Sequence, residues 1–263
     1  FVMAQAYMQV ATVNSYQQAL ILFEKAIKLS PDYALAFVGK AACHLLLYQY
    51  KHTDLNSAIT QANIALDRAS QLKPDMAETL AIKGLMYTYL KQFNKAEQFY
   101  IRALKGRLNM GAAHHNYAFM LWLQSRFKQA IEHASMALET NPLSKQTHFL
   151  IGDALASLGE FDKALLHYQH CVNILPNYYG CNVGLGIIYQ ITGDLDKAQI
   201  NLDISASLSE PENFWQNSTY ASLLIHQGSF DRAVSLLQTI RHKVPIDYFL
   251  LRTSWLADLA LDN

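Results

Sequence analysis

Gly159-Glu160-Phe161-Asp162-Lys163-Ala164 returns 34 residues later as Gly193-Asp194-Leu195-Asp196-Lys197-Ala198, and 35 residues after that as Gly228-Ser229-Phe230-Asp231-Arg232-Ala233. In each copy a glycine suited to a left-handed turn is followed by an apolar residue and then by an alanine that opens an amphipathic helix. Working outward from these copies, the anchoring alanines are Ala19, Ala62, Ala96, Ala130, Ala164, Ala198 and Ala233, at intervals of 43, 34, 34, 34, 34 and 35. A fixed period of this kind marks a repeat architecture, and it governs how every other residue is read.

The prolines keep the same beat. Pro31, Pro74, Pro142, Pro176, Pro211 and Pro245 each lie twelve or thirteen residues beyond an anchor, and Leu108 holds that slot in the remaining repeat. Proline has no N–H to donate and clashes with the preceding turn, so it belongs where one helix has ended and the next has not begun. Each unit therefore predicts two short helices, A and B, joined by a tight turn. Lys91-Gln92-Phe93 and Ser125-Arg126-Phe127 lack the turn glycine, which predicts less sharply specified turns there.

Packing positions follow from the same alignment. The eighth slot of helix A is always small: Ala41, Gly84, Ala118, Gly152, Gly186 and Ala221. These residues are expected to sit opposite the anchor alanines at the helix crossing. Four residues after the anchors come mostly larger residues, Phe23, Leu66, Tyr100, Tyr168, Leu202 and Leu237, which form the buried stripe of helix B. The units run 1–33, 34–76, 77–110, 111–144, 145–178, 179–212 and 213–245. Residues 246–263 are left as a helix that caps the last apolar face. The second unit carries nine extra residues, around Tyr48 to Ser57, that lengthen its helices and the turn between them.

These registers resemble the tetratricopeptide (TPR) repeat over nearly the whole chain. The resemblance implies an all-α fold: a right-handed α-solenoid, or superhelix, of about seven helix–turn–helix repeats plus a C-terminal capping helix, running as one stack over 1–263. From Pro31 to Ser144 a closer likeness rests on Leu72-Lys73-Pro74-Asp75-Met76-Ala77-Glu78, on Ala112-Ala113-His114-His115-Asn116-Tyr117-Ala118 and on Asn141-Pro142-Leu143-Ser144. This stretch resembles the C-terminal TPR half of bacterial CadC/ToxR-type winged-helix transcriptional activators. That likeness implies a sensor or interaction domain of a bacterial regulator, cytoplasmic or periplasmic, cut from a longer chain. The alternatives are a general scaffold or adaptor of an assembly or secretion complex, and a small-ligand receptor.

Composition narrows the partner. Of 263 residues, 51% are hydrophobic and 16% charged, and 21 Lys and Arg balance 21 Asp and Glu. Without a basic excess the segment has no means of gathering phosphates, which disfavours direct nucleic-acid binding. Its apolar runs are too interrupted for membrane insertion. No nucleophile elbow, phosphate loop or metalloprotease motif is present, so no catalytic residue and no cofactor is assigned.

In TPR solenoids the A helices line the concave groove. The groove slots here hold Tyr89, His115, Phe119, Trp122, Phe149, Asp153, Ile187 and Trp215. This apolar, aromatic set suits an extended peptide or a helix of a partner protein. The same rings would also serve simply to pack neighbouring helices, or to join two copies in a homodimer. No Lys/Asn clamp for a C-terminal carboxylate is present.

His114-His115, His167 with His170 and Cys171, and His148 invite a metal reading. Cys171, however, takes the small core slot filled by Ala26, Ala69, Ala103 and Ala137, and no carboxylate completes a ligand set, so no metal is assigned. Cys43, Cys171 and Cys181 are too few for a disulfide framework. Cys171 and Cys181 nevertheless flank one turn and could approach each other in an oxidising compartment, though the geometry is demanding, and whether they are bonded is left open by the sequence.

Overall fold

A computed structural model describes residues 1–105, 110–176, 178–208 and 213–240. Among the described residues there are fourteen α-helices and no strands, and the chain is a solenoid of helix–turn–helix repeats. The helices are α1 (Val2–Val10), α2 (Val13–Leu29), α3 (Ala34–Gln49), α4 (Leu55–Leu72), α5 (Ala77–Tyr89), α6 (Phe93–Leu104) and α7 (Gly111–Leu123), followed by α8 (Phe127–Thr140), α9 (Lys145–Ser157), α10 (Phe161–Ile174), α11 (Tyr179–Ile191), α12 (Leu195–Leu208), α13 (Phe214–His226) and α14 (Phe230–Ile240). Odd-numbered helices are the A helices. The helices group into two compact units, Phe1–Pro142 and Leu143–Asn263. The expected capping helix at 246–263 lies outside the described residues.

Local chemistry sets the boundaries. Helix α2 starts at a reciprocal capping box, in which Ser15 N–H donates to Thr12 Oγ1 and Thr12 N–H donates to Ser15 Oγ. Asp54 caps α4 and Ser144 caps α9 in the same sense, each accepting from the backbone N–H three residues on. The B helices α2, α4, α8 and α10 are C-capped by Ser30, Lys73, Asn141 and Leu175, each one residue before a proline. The nine extra residues of the second unit lengthen α3 to 16 residues and α4 to 18, against 13 for α5.

The turns depart from expectation. Gly159, Gly193 and Gly228 take φ of 76°, 81° and 73°, and Lys51, Lys91 and Ser125 take φ of 57°, 56° and 58° at the same point. Every one of these turns closes with the same bond back to the carbonyl five residues earlier: His52 to Leu47, Gln92 to Tyr87, Arg126 to Leu121, Glu160 to Leu155, Asp194 to Tyr189 and Ser229 to Leu224. The turns without glycine are thus as sharply specified as those with it. Helix stacking imposes the geometry, and the side chain bears the left-handed strain. Ser125→Gly is accordingly expected to raise stability by about 1 kcal/mol. An unchanged or lowered urea midpoint would contradict this.

The core follows the register. All seven anchor alanines are at most 1% exposed, and Phe23, Leu66, Tyr100, Tyr168 and Leu202 at most 2%. Where the small slot of helix A is glycine, it lies against these larger residues. A Cβ on Gly84 would lie 2.7 Å from the Tyr100 ring, one on Gly152 2.8 Å from the Tyr168 ring, and one on Gly186 2.6 Å from Leu202. Gly39 and Gly184, on the following A helices, stand equally close to Phe23 and Tyr168. A single ring is therefore wedged between two A helices, which requires backbone without side chain on either side.

Cys171 occupies its core slot at 0% exposure, as the register implies, but it is also bonded to Cys181. The bond ties α10 to α11 across ten residues, with the Cα atoms 6.2 Å apart. Cys43 is a buried thiol whose pKa burial pushes up to about 12, so it is unreactive.

Candidate partner-binding face

Within the first unit, α3 packs on α5 and α5 on α7, whereas the B helices α2, α4 and α6 each pack on the A helix before them and on the one after. The A helices therefore follow one another along one side of the unit. Three of them carry a ladder of rings. Tyr48 on α3 meets Tyr89 on α5 edge-on at 5.3 Å, Tyr89 meets Phe119 on α7 at 6.4 Å, and Phe119 stacks beside Trp122 at 6.3 Å. The spacing of Phe119 and Trp122, three residues apart, puts both on one face of α7. Tyr89 Oη donates to Gln49 Oε1 at 2.9 Å, which fixes its ring against α3.

All four rings are half-buried: too large to vanish into the crossing, yet held by their neighbours. Burial drives the Tyr89 phenol well above its usual range. His115, one turn before Phe119, is half-buried by surface area, and burial pushes its pKa down to about 4, so it is neutral near pH 7. The face thus presents aromatic surface and an uncharged imidazole.

The second unit builds its own cluster. Phe149 on α9 meets Trp215 on α13 edge-on at 5.5 Å and Tyr178 at 6.0 Å, and Tyr179 lies 6.4 Å from Trp215. Gly180 forms the floor: its Cβ would be 3.4 Å from Trp215 and Tyr178 and 3.5 Å from Phe149. The Lys145 ammonium lies 5.7 Å from the Tyr178 ring.

The eight groove positions read from the sequence fall in different surroundings. Tyr89, Phe119 and Trp122 come together, with His115 beside them on α7, and Phe149 comes together with Trp215. Ile187 is only 6% exposed, because α11 is buried continuously from Gly180 to Ile188, so it belongs to the core. Asp153 accepts from Tyr168 Oη at 2.6 Å, so its carboxylate is committed to the helix pair that it braces. Tyr48, Gln49, Tyr178 and Tyr179 were missed. The first two fall in the lengthened repeat, where slot counting shifts, and the last two sit at the junction before an A helix.

Histidines cluster on helices α7 to α10. Among the described residues no group of three or more His, Cys, Asp or Glu side chains is placed to hold a metal ion. They pair instead, His114 with His133 and His148 with His167. None of the described helices is long and apolar enough to cross a membrane.

Two family models, both described as tetratricopeptide repeat, match residues 77–105 and 121–171. The BBSome complex member BBS4 of Bos taurus is 26% identical over 256 residues, covering 95% of this chain and 46% of that protein. Anaphase-promoting complex subunit 3 of Schizosaccharomyces pombe is 24% identical over 161 residues, 61% of this chain and 23% of that one. The chain thus spans about half the length of the first of these relatives. The solved structure of Pseudomonas aeruginosa pilF superposes with a TM-score of 0.65 at 16% identity, covering 84% of this chain and 97% of that one. At that identity the likeness shows the fold alone.

Proposed function

We propose that this chain, a tetratricopeptide-repeat protein, is a non-catalytic scaffold arm of a multi-protein assembly, and that it holds an apolar segment of a partner protein against the A-helix face of its first unit. The observation that carries the reading is the Tyr48–Tyr89–Phe119–Trp122 ladder, half-buried aromatic rings spread over three helices. Rigid aromatics of this kind lose little entropy on binding and dominate interface energetics. The neutral His115 and the even balance of charge favour an uncharged segment over nucleic acid. The names of the two relatives, each a subunit of a complex, support a scaffold rather than the sensor half of a bacterial transcriptional regulator.

Trp122→Ala is expected to weaken capture of the partner roughly 30-fold, the loss typical of an interface anchor of about 2 kcal/mol, while leaving helicity and the urea midpoint close to wild type. Loss of folding together with capture would make Trp122 a core residue. A change of elution volume on size exclusion, with capture intact, would make the face a homodimer contact.

A further inference from the structure

The two histidine pairs occupy the same place in consecutive repeats. His114 and His148 lie 34 residues apart on helices α7 and α9, and His133 and His167 lie 34 residues apart on α8 and α10. In each pair Nδ1 faces Nδ1, at 3.0 Å in the first unit and 3.1 Å in the second. At that distance one nitrogen must donate and the other accept, so a pair in contact holds a single proton between its two Nδ1 atoms. One charged ring is compatible with this, since an imidazolium can donate to a neutral imidazole. Two charged rings are not, because two N–H groups would then point at each other.

We propose that these pairs are acid-sensitive latches between the A and B helices of the fourth and fifth repeats, closed while each pair shares one proton and opened when both rings of a pair are charged.

The surroundings set the threshold. His114 is 3% exposed, and burial lowers its pKa; His133 is lowered first by burial and then by His114. The charged groups facing this pair are Glu97 of α6, Arg126 at the start of α8, and Glu132 and Glu139 on α8. The Tyr117 ring of α7 lies 4.3 Å from His133, and its hydroxyl donates to Glu97, which also accepts from Arg126. Opening this latch would therefore disturb a bond network linking the third repeat to the fourth.

In the second pair, His167 is lowered to about 4, first by burial and then by His148 and His170. His170 stacks on His148 at 5.4 Å, and the adjoining stretch of α11, Gly180 to Ile188, has no side chain that titrates while Cys181 is bonded. Rings whose pKa is depressed on folding bind more protons when unfolded. Stability is then full above pH 6.5 and is lost as pH falls toward 4.

Urea unfolding of the full chain at pH 8 and pH 5 tests this. His167 alone predicts a folding equilibrium about 30-fold lower at pH 5 than at pH 8. The double variant His133→Gln, His167→Gln should lose at least that much of the pH dependence. An equal fall in variant and wild type would overturn the proposal. If the variant does not fold, histidine-ring NMR of the wild type decides. His114, His133 and His167 should titrate below an ordinary imidazole, with the second protonation of each pair coinciding with loss of the α7–α8 and α9–α10 contacts. Paired rings titrating near 6.5 with those contacts intact would overturn it.

Discussion

Replacing Tyr168 by Ala should cost about 3–5 kcal/mol, the range for deleting a fully buried aromatic ring. The ring is 2% exposed and fills the space left by two glycines, Gly152 on α9 and Gly184 on α11, so no neighbouring side chain can swing in to close the cavity. The substitution also strips Asp153 of the hydroxyl that donates to it at 2.6 Å, and it removes the ring beside Phe149 at 6.1 Å. Because Tyr168 joins the fifth repeat to the sixth, the loss should fall on the second unit. Urea unfolding followed by circular dichroism checks it. A variant within about 1 kcal/mol of wild type would mean that the glycines do not hold the ring as described.

Reducing the Cys171–Cys181 bond should lower stability by about 2–3 kcal/mol, since closing a loop of ten residues removes a corresponding amount of chain entropy from the unfolded state. The double variant Cys171→Ala, Cys181→Ala should behave like the reduced protein and lose all sensitivity to reductant. Alanine fits the Cys171 slot, as Ala69 and Ala137 show in the equivalent position, so the effect reads the cross-link rather than a packing fault. Unfolding with and without dithiothreitol checks the prediction. Identical midpoints, or three thiols titrating in the unreduced denatured chain, would contradict it.

Much of the architecture is legible in the sequence because repeat packing is local. An anchor alanine is small because a helix crosses there, and a proline marks a junction because a helix cannot pass through it. Rules that short survive without knowledge of the rest of the chain. The lengthened repeat was legible as well, since an interval of 43 has to be accommodated within two helices and a turn.

What stayed hidden depends on contacts between elements. Lys91 and Ser125 carry no sign of a left-handed conformation, because the stacked helices impose it on them. The disulfide was masked by the slot that Cys171 shares with alanines, and pairing required the approach of α11. Ile187 read as lining a groove because slot counting treats each A helix as half-exposed, whereas α11 is buried continuously from Gly180 to Ile188. The histidine pairs left a signal, two spacings of 34, that was lost when neighbours in sequence were grouped instead of equivalents in the repeat.

The ring-bearing face of α3, α5 and α7 is proposed as the place where a partner lies. The most direct measurement puts the photo-crosslinking residue benzoylphenylalanine at position 119 in one variant of the full chain and at position 64 in another. Ile64 is 61% exposed on the B helix α4. After irradiation in the native host, adducts at 119 should map to one apolar segment of a different protein, and adducts at 64 should not. Adducts at 119 that join only this chain to itself, or that match those at 64, would contradict the account.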